Sequence, residues 1–558
     1  MKLQYLILSV FLIFQFSLKA EEQIHERVYV HTDKDCYIAG ENILLKFYVI
    51  NSAFQPSALS KVGYVEICSM EKPQMQVKVT LEKGSGTGRM QIPEDIPSGI
   101  YQLTGYTRYM RNEGENVFFK KQIAIVNVEQ QIPDSKRFEL VDKYEKIQPV
   151  ENEQSNLRVK TDQNVYGNRK NVILSINNIP DNTADLVVSV TGNDSIASVP
   201  EVNYQDWLKQ VKDTLNHFSG QWLPEYEGHI ITGRIIPQPR KEERLISDIA
   251  FVGKDIRYFN GQIDSTTGNV NYYTAGILGK QQVVTTVVSS PFYGKSQHRV
   301  DLLPSFDESL PDSLPVLQIY PNKKQLLERY IGVQIQGKLN GDSLRNFIQS
   351  PDYCAFQPTY HYDLDEYTRF GSIAETILEF IYSVHVYKTN GIRELHVYLA
   401  DEQRFSIKSL VLLDGVPVYD HEDILKYNPL FIKKINIYDG HYAFGGGVFE
   451  GIVSFITREG NLPFFQLGDG YQLFNYECPQ LPLSNDNQDY STDQMKNSRK
   501  PDFRHTLYWN PSVEYTAGQP VNLSFYTSDL CGEFKVTVEG ITTDGKIIHN
   551  TAVFKVMK

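Results

Sequence analysis

One segment that occurs twice in the first third of the chain restricts the fold more than any other feature. The copies align without gaps as VYVHTDKDCYIAGENILLKF, which starts at Val28, and LRVKTDQNVYGNRKNVILSI, which starts at Leu157. Each copy is an alternating strand, a polar turn and a second alternating strand. Repeated units of this type predict stacked β-sandwich modules, which are structural or binding units and imply no chemistry by themselves.

The turn of the repeat carries two matched polar residues. We expect Asp33 and Asp162 to accept backbone N–H groups of the turn, and Tyr37 and Tyr166 to pack beneath it. A third, weaker relative, WNPSVEYTAGQPVNLSFYTSD, starts at Trp509. The last 60 residues are short for a sandwich, so they either fold alone or complete one with an earlier segment.

Length and charge narrow the function classes. A chain of 558 residues is too long for one core and predicts about four domains. The formal net charge is −12 and Lys and Arg form no cluster, so we expect no binding to nucleic acid or to an anionic membrane. The five scattered cysteines do not form a disulfide framework or a metal motif, although Cys36 and Cys68 can form one bridge.

The first 20 residues, MKLQYLILSVFLIFQFSLKA, have one lysine followed by an apolar run to about Phe16. That run is too short to span a bilayer, and Ala20 is a small residue suited to cleavage, which predicts a secretory signal peptide. No later window is long and apolar enough for a transmembrane helix. We therefore expect an exported protein of the periplasm or associated with the outer membrane.

The first copy of the repeat, extended to VYVHTDKDCYIAGENILLKFYVI and followed by IPSGIYQLTGYTRYMRN, resembles the macroglobulin-type β-sandwich of exported Bacteroidetes proteins over residues 26–128. Cys36 stands where that family usually has proline. The segment from PEYEGHIITGRI onward is similar to the carboxypeptidase-regulatory-like module, with a turn at Asp264 and Gly268 and an aromatic strand ending in Tyr272 and Tyr273. Despite its name, that module has no peptidase site.

In residues 361–463 the sequence pattern changes, and segments with helical spacing occur between alternating strands. FGSIAETILEFIYSVHVY predicts a helix with a capping box formed by Ser372 and Glu375. A hairpin turning at Asn390-Gly391, the buried strand SLVLLDG, a short helix around Glu422–Lys426 and two further strands follow. The order predicts a compact α+β domain.

This α+β segment resembles the plug domain of TonB-dependent receptors. The matching residues lie in three groups: Leu413–Pro417 with Ile435 and Ile437, the Gly445–Gly447 run, and Gly451, Ile452 and Thr457. In such a receptor about 22 barrel strands of about 10 residues follow the plug. Here 95 residues follow position 463, so we expect a plug-like fold without its own pore.

The predicted fold class is therefore mainly β: tandem immunoglobulin-like or macroglobulin-type β-sandwiches, a carboxypeptidase-regulatory-like β module and one α+β plug-like domain. The predicted boundaries are a signal peptide at 1–20, a macroglobulin-type sandwich at 21–128, a linker at 129–155, a second sandwich-like segment at 156–228, the regulatory-like module and connector at 229–345, the plug-like domain at 346–465, a linker at 466–498 and a C-terminal β unit at 499–558.

Several catalytic motifs are present only in part. Gly341-Asp342-Ser343-Leu344 with the D-x-x-H run ending at His505 spells the motif of a lipase and esterase family, but the serine follows a polar turn rather than a buried strand. Cys531-Gly532-Glu533 lacks the glutamine that a macroglobulin thioester needs, since Phe534 follows. The acidic run at 361–366 lacks the glycine and distal glutamate of a calcium loop. We predict no catalytic residue, no metal site and no cofactor.

The function favoured by the sequence is that of a non-catalytic exported cell-envelope protein, which binds or scaffolds another envelope or outer-membrane protein of transport or secretion. The alternatives are a macroglobulin-like endopeptidase inhibitor or protease-binding protein without a thioester, and a carbohydrate- or peptide-binding protein that uses aromatic residues such as Trp207, Trp222 and Trp509. The predicted binding surfaces are the exposed edges of the β modules and two plug-like loops, with these residues: Asp414, Gly415, Pro417, Tyr419, Tyr438, Gly445, Gly446 and Gly447.

Overall fold

The computed structural model describes residues 24–53, 55–130, 137–141, 156–193, 196–197, 199, 218–289, 296–320, 322–339, 357–389, 391–407, 409–444, 447–481, 487–516, 518–544 and 546–558. The predicted signal peptide, Ser343 and Trp207 lie outside these residues. Within them the chain is mainly β, as predicted, with sheets arranged in several modules. None of the helices among these residues combines the length and apolarity needed to cross a membrane.

The described residues of the first half of the chain form strands and two short 3-10 helices, Tyr109–Asn112 and Glu115–Val117. The strands are listed next. In chain order they are β1 (Glu26–Thr32), β2 (Cys36–Ile38), β3 (Asn42–Asn51), β4 (Val62–Cys68), β5 (Pro73–Glu82), β6 (Ser85–Gln91), β7 (Gly99–Thr107), β8 (Phe119–Val126), β9 (Phe138–Leu140), β10 (Arg158–Thr161), β11 (Val165–Tyr166), β12 (Asn171–Asn177), β13 (Thr183–Gly192), β14 (His229–Ile236), β15 (Leu245–Phe251), β16 (Tyr258–Ile263), β17 (Asn269–Thr274) and β18 (Lys280–Ser289).

The described residues of the second half contain further strands and four α-helices. The elements are β19 (Arg299–Leu302), β20 (Leu317–Ile319), α1 (Lys323–Leu339), β21 (Tyr360–Asp363), α2 (Ile373–Phe380), β22 (Val384–Thr389), β23 (Ile392–Leu399), β24 (Arg404–Phe405), β25 (Leu410–Leu413), β26 (Val416–Pro417), α3 (His421–Leu425), β27 (Ile432–Phe444), β28 (Gly447–Thr457), β29 (Tyr471–Glu477), α4 (Asp493–Lys496), β30 (Thr506–Asn510), β31 (Val521–Tyr526), β32 (Gly532–Thr542) and β33 (Ile547–Val556).

The first sandwich, residues 24–130, contains β1 to β8 in the order β1-β3-β6-β5-β4-β7-β8-β2. Its core is packed with fully buried aromatic and β-branched side chains, among them Tyr37, Phe47 and Tyr64. Cys36 and Cys68 are both free thiols. Since β7 and β8 lie between the strands that carry them, these two cysteines are too far apart for the bridge considered from the sequence.

The turns of the repeat have the predicted geometry. The Tyr37 hydroxyl donates to Asp33 (2.8 Å), and the Tyr166 hydroxyl donates to Asp162 (2.6 Å). Each aspartate also accepts the backbone N–H eleven residues later, at 3.1 and 2.8 Å. The two copies therefore form the same turn, stabilised by the same pair of side chains.

The second sandwich joins two distant parts of the chain, residues 157–192 and 503–556. One sheet has the order β10-β12-β31 and the other β11-β33-β32-β13-β30, and their shared core includes Leu174, Phe525 and Phe534. The predicted separation of 156–228 from a C-terminal unit at 499–558 therefore needs correction. The two segments complete one another because each alone leaves an apolar sheet face uncovered.

The third module has a seven-stranded order, β19-β14-β17-β16-β15-β18-β29. Strand β29, which pairs with β18, lies inside the segment 466–498 that the sequence predicts to be a linker. That prediction is wrong for β29, because YQLFNYE alternates apolar and polar residues over the strand. The module is thus closed by a strand that follows the plug-like domain in the chain.

The α+β domain, for which we keep the name plug-like domain from the sequence prediction, is described over residues 357–389, 391–407, 409–444 and 447–463. It has a five-stranded sheet of order β21-β27-β28-β25-β26 and a three-stranded sheet of order β22-β23-β24. Half of the predicted capping box is confirmed, because the Ser372 hydroxyl accepts the Glu375 N–H (3.2 Å) at the start of α2. The Glu375 carboxylate accepts the N–H of Gly371 (3.0 Å) instead of the N–H of the N-cap Ser372. The hairpin between β22 and β23 and the short helix α3 are also confirmed.

The modules are inserted one inside another. The plug-like domain lies between β19 and β29 of the third module, and the third module lies between β13 and β30 of the second sandwich. The core of the plug-like domain continues into the third module through Ala250, Ile256, Tyr258 and Val284. Buried polar contacts join the two sandwiches: His31 Nδ1 lies 2.6 Å from a Glu539 carboxylate oxygen, and the Lys46 ammonium lies 2.6 Å from Asp185.

Candidate binding surface on the plug-like domain

The residues predicted as binding loops lie mostly inside the protein. Asp414, Pro417, Tyr419 and Tyr438 are buried. Gly445 and Gly446 lie outside the described residues, and Gly447 begins β28. Contact of the four buried side chains with another protein would therefore require the neighbouring elements to move away.

Asp414 has a structural role in the plug-like domain. Its carboxylate accepts the Thr457 N–H and the Thr457 hydroxyl, both at 2.7 Å, and the Leu462 N–H at 2.8 Å. The next residue, Gly415, has φ +78°, and a Cβ there would lie 2.8 Å from the Asp255 carbonyl of the third module. The LDG turn is thus fixed by the end of β28 on one side and by the third module on the other.

Tyr419 connects the plug-like domain to the third module. Its hydroxyl donates to Asp248 (2.6 Å) and lies 2.9 Å from the Tyr258 hydroxyl. Burial raises the pKa of Asp248 and, together with the Asp248 charge, holds the pKa of Tyr419 well above its ordinary value. Tyr419 therefore remains a protonated donor at this interface.

An aromatic face, partly exposed and partly half-buried, lies on the outer side of the three-stranded sheet. We define the aromatic face as the outward side chains of the three-stranded sheet: His385 and Tyr387 on β22, His396 and Tyr398 on β23, and Phe405 on β24. The ring of His385 stacks on Phe405 (4.3 Å), and Tyr387 meets His396 edge-on (4.9 Å). Phe405 also contacts Tyr398 at 5.2 Å, so the five rings form one contiguous surface.

Strand alternation produces this face. Val384, Leu395 and Val397 point inward and are almost fully buried. The residues that alternate with them, such as His385 and its cross-strand partner His396, lie on the opposite face. The signal was present in VHVYKTNGIRELHVYL, where aromatic and histidine residues occupy alternate positions on both strands. The alternation predicts the hairpin, but which of its two faces meets solvent depends on what the sheet packs against.

The edge of the same sheet is accessible. Within the described part of the chain, β22 pairs with β23 on one side only. Two large apolar residues beside it are highly exposed: Leu378 near the end of α2 (77%) and Tyr382 in the turn before β22 (81%). A strand edge with free backbone groups next to exposed apolar side chains is a typical place for another chain to bind.

A charged rim borders the aromatic face. The Arg404 guanidinium holds both oxygens of Glu450, at 2.9 and 3.0 Å, and also donates to Glu402 at 2.6 Å. These bonds lower the pKa of Glu450 to about 2. An apolar centre with a polar rim is the usual arrangement of a protein interface.

A second cluster of titratable groups resembles catalytic machinery but is buried between modules. His229 is hydrogen-bonded to Glu225 (2.8 Å) and to the Tyr476 hydroxyl (2.7 Å). The Tyr476 hydroxyl is also hydrogen-bonded to Ser305 (2.8 Å) and accepts from the Lys78 ammonium (3.3 Å). Burial lowers the pKa of His229 to about 4 and that of Lys78 to about 8. Because Glu225, His229 and Lys78 are almost fully buried, the cluster joins the first sandwich to the third module rather than facing a substrate.

The two described tryptophans, Trp222 and Trp509, and the acidic residue Asp365 have partners within the chain. Trp509 is buried and stacks on His31, while Trp222 is covered by the Arg111 guanidinium, 3.7 Å from its ring centre. Asp365 of the acidic run accepts hydrogen bonds from Arg369 and Arg458. Among the described residues, no three His, Cys, Asp or Glu side chains are grouped so as to hold a metal ion.

Searches of protein-family models and of curated proteins found no match. Among solved structures, the chain is similar to a variant of the Salmonella alpha-2-macroglobulin (9% identity, 96% of this chain, 39% of the other, TM-score 0.25). Others are trypsin-activated alpha-2-macroglobulin from Escherichia coli (10%, 95%, 41%, 0.24) and the Escherichia coli adhesin FdeC (8%, 51%, 66%, 0.16). The chain spans about two fifths of the length of these macroglobulins. Likeness at these TM-scores assigns neither a family nor a function.

Proposed function

We propose that this chain is a non-catalytic exported protein that binds another protein of the bacterial cell envelope, and that the aromatic face of the plug-like domain is the contact surface. The expected partner is an outer-membrane component of transport or secretion, in keeping with the resemblance to receptor plugs. The observation that carries the proposal is the contiguous set of five rings on a solvent-facing sheet.

The energetics of interfaces support this choice of surface. Aromatic side chains bury a large area at a low cost in conformational entropy, and a few such residues usually dominate binding. Tyr387 is 43% exposed and already held in place by its ring neighbours, so docking a partner would order little that is not ordered in the free protein. The free edge of β22 adds backbone groups that an extended partner segment can pair with.

The test is photo-cross-linking in intact cells of the natural host. A photoreactive amino acid replaces Tyr382 or Tyr387 in two separate variants, and mass spectrometry identifies what each position joins. The matched control position is Ile173, which is similarly exposed (43%) but lies on the second sandwich. Links from Tyr382 and Tyr387, and not from Ile173, to an outer-membrane barrel protein are the expected result.

A substitution checks the same surface independently. The double variant Tyr387→Ser, Phe405→Ser should lower capture of that partner at least tenfold, since loss of a central aromatic contact typically costs about 2 kcal/mol or more. Ile173→Ser should leave capture unchanged. Links confined to this chain, or to soluble proteases, would refute the proposal and favour a macroglobulin-like inhibitor.

A further inference from the structure

A buried histidine, His229, lies at the junction between the first sandwich and the third module. It is the first residue of β14 and is 2% exposed; Glu225, four residues earlier, is 1% exposed, and Lys78 on β5 of the first sandwich is 4% exposed. Two backbone hydrogen bonds cross the junction beside these side chains: the Lys61 N–H donates to the Glu225 carbonyl (2.9 Å), and the Gln480 N–H donates to the Lys78 carbonyl (2.8 Å). The two modules therefore meet here through polar groups.

The apolar cores on the two sides of this junction are separate. That of the first sandwich includes Phe47 and Tyr64, and that of the third module includes Phe251 and Tyr272. A polar contact between modules that each have their own core resembles a transient interface and permits the modules to move relative to one another. Opening of the junction therefore does not require either core to unfold.

The hydrogen bonds of the histidine ring define its protonation state. The Glu225 carboxylate accepts the Tyr64 hydroxyl (2.9 Å) and the Ile230 N–H (2.8 Å), and one of its oxygens lies 2.8 Å from His229 Nδ1. Because a carboxylate can only accept, Nδ1 carries the ring proton, and Nε2 accepts the Tyr476 O–H at 2.7 Å. These bonds are all made with a neutral ring.

A second proton on the ring would disturb its contact with Tyr476. The Tyr476 oxygen already accepts from the Lys78 ammonium (3.3 Å) and lies 2.8 Å from the Ser305 hydroxyl. With a proton on Nε2, this oxygen would face two positively charged donors, and the Tyr476 O–H would lose the ring nitrogen as its acceptor. The hydrogen bonds therefore favour the neutral form of His229.

The charges around the ring disfavour the same proton. The Lys78 ammonium donates to the Glu477 carbonyl (2.7 Å) and the Arg108 guanidinium donates to the Thr232 hydroxyl (2.9 Å), so both cations bond neutral oxygens. Among the described residues, the titratable and charged groups that face the ring are Glu225, Tyr64, Tyr476, Lys78 and Arg108. Two cations thus accompany one carboxylate, and burial together with the Lys78 charge lowers the pKa of His229 to about 4.

We propose that this junction is an acid-sensitive contact, which opens when His229 is protonated and frees the first sandwich from the third module while each stays folded. The stabilisation from the neutral ring is fully present above about pH 6.5, the ordinary pKa of histidine, and is lost as the pH falls towards 4. Burial also lowers the pKa of Lys78 to about 8, but below pH 7 its ammonium is charged in both the closed and the open junction, so it does not produce this response. The inference does not rest on the proposed function.

The test is hydrogen exchange with residue-level mass spectrometry on the full chain at pH 7 and pH 5, with each rate corrected for the intrinsic rate at that pH. The amides of Lys61 and Gln480 report the junction, because both donate across it. Opening should increase about twentyfold between pH 7 and pH 5, as expected from a ring pKa of 6.5 in the open junction and about 4 in the closed one. The amides of β12, in the second sandwich, should keep their protection.

Three variants separate the proton on this ring from a general effect of acid. His229→Gln keeps a donor and an acceptor but cannot titrate, so the two reporter amides should exchange alike at both pH values. Lys78→Met removes the neighbouring cation and should reduce the response to about half of the parent's or less, because a like charge beside the ring disfavours its protonation. His298→Gln, at a histidine of the third module that lies 3.3 Å from Glu243, should respond as the parent does.

Four results would overturn the proposal. They are a response of less than about fivefold in the parent, the parent's full response in His229→Gln, an undiminished response in Lys78→Met, and an equal loss of protection in β12, which would indicate unfolding of the whole chain by acid. Protection of β12 at pH 7 also shows which variants are folded, so a misfolded His229→Gln would leave Lys78→Met to decide the outcome.

Discussion

Replacing Asp414 by alanine should destabilise the plug-like domain far more than an ordinary surface substitution does. The change removes three hydrogen bonds to one buried carboxylate and leaves the backbone N–H groups of Thr457 and Leu462 unpaired. Each unpaired buried donor costs about 1–3 kcal/mol, so we expect a total loss of about 4 kcal/mol in the local free energy of unfolding. The comparison variant is Asp420→Ala, which removes the side-chain cap of α3 and should cost about 1 kcal/mol.

Hydrogen exchange followed by mass spectrometry is the suitable assay, because a chain with several modules does not unfold in two states and local opening must be read peptide by peptide. A loss of about 4 kcal/mol corresponds to a decrease of about 10³-fold in the protection of β28, from Gly447 to Thr457. The first sandwich serves as an internal reference and should be unchanged. A decrease in β28 protection of less than about tenfold, or one equal to that of Asp420→Ala, would refute the structural role of Asp414.

Three further predictions concern other contacts. Burial would raise the pKa of Glu41, but the charges of Arg329 and Lys34 outweigh it and lower the pKa from its ordinary 4.5 to about 2. The stability that this carboxylate contributes is therefore present above about pH 4.5 and lost as the pH falls towards 2; acid unfolding of Glu41→Gln, followed by circular dichroism, should lack this part of the transition. Gly451 has φ +74° and its added Cβ would lie 2.5 Å from Val397, so Gly451→Ala should lower the protection of β23 and β28 at least tenfold in hydrogen exchange. Deleting residues 503–558 should make the remaining strands of the second sandwich sensitive to limited proteolysis while the first sandwich stays intact; resistance of both would contradict the described pairing.

Turns and helix starts were predictable from the sequence where residues close together in the chain determine them. The repeat turns follow from Asp33 and Tyr37 and their equivalents, because an aspartate can satisfy the turn within a few residues. The start of α2 follows in the same way from Ser372 and Glu375, three residues apart. The mainly β class follows from alternation, which needs no knowledge of tertiary contacts.

Pairing between distant segments was not predictable in this way. Nothing in the alternation of β31 indicates that it pairs with β12, because any strand with one apolar face suits many partners. The exposure of the predicted binding loops also depends on distant segments and could not be predicted from the local sequence. The LDG loop contains a turn signal that usually marks an exposed segment, yet the third module covers Asp414 and Gly415. The aromatic face was visible as a pattern, but its exposure depends on which side of β23 the core occupies.

The nesting of modules has a consequence in time as well as in space. If the chain folds as it becomes available from its N-terminus, the first sandwich can form early. Strand β12, however, must wait for a partner 353 positions further along the chain, as in the Ser524–Asn171 hydrogen bond. Until then its apolar face is uncovered and open to wrong pairing. The innermost unit can close before the one that surrounds it, so maturation should proceed from the inside outward. A mutation in β30 to β33 would then block a late step of folding, after the plug-like domain has folded but before the second sandwich is complete.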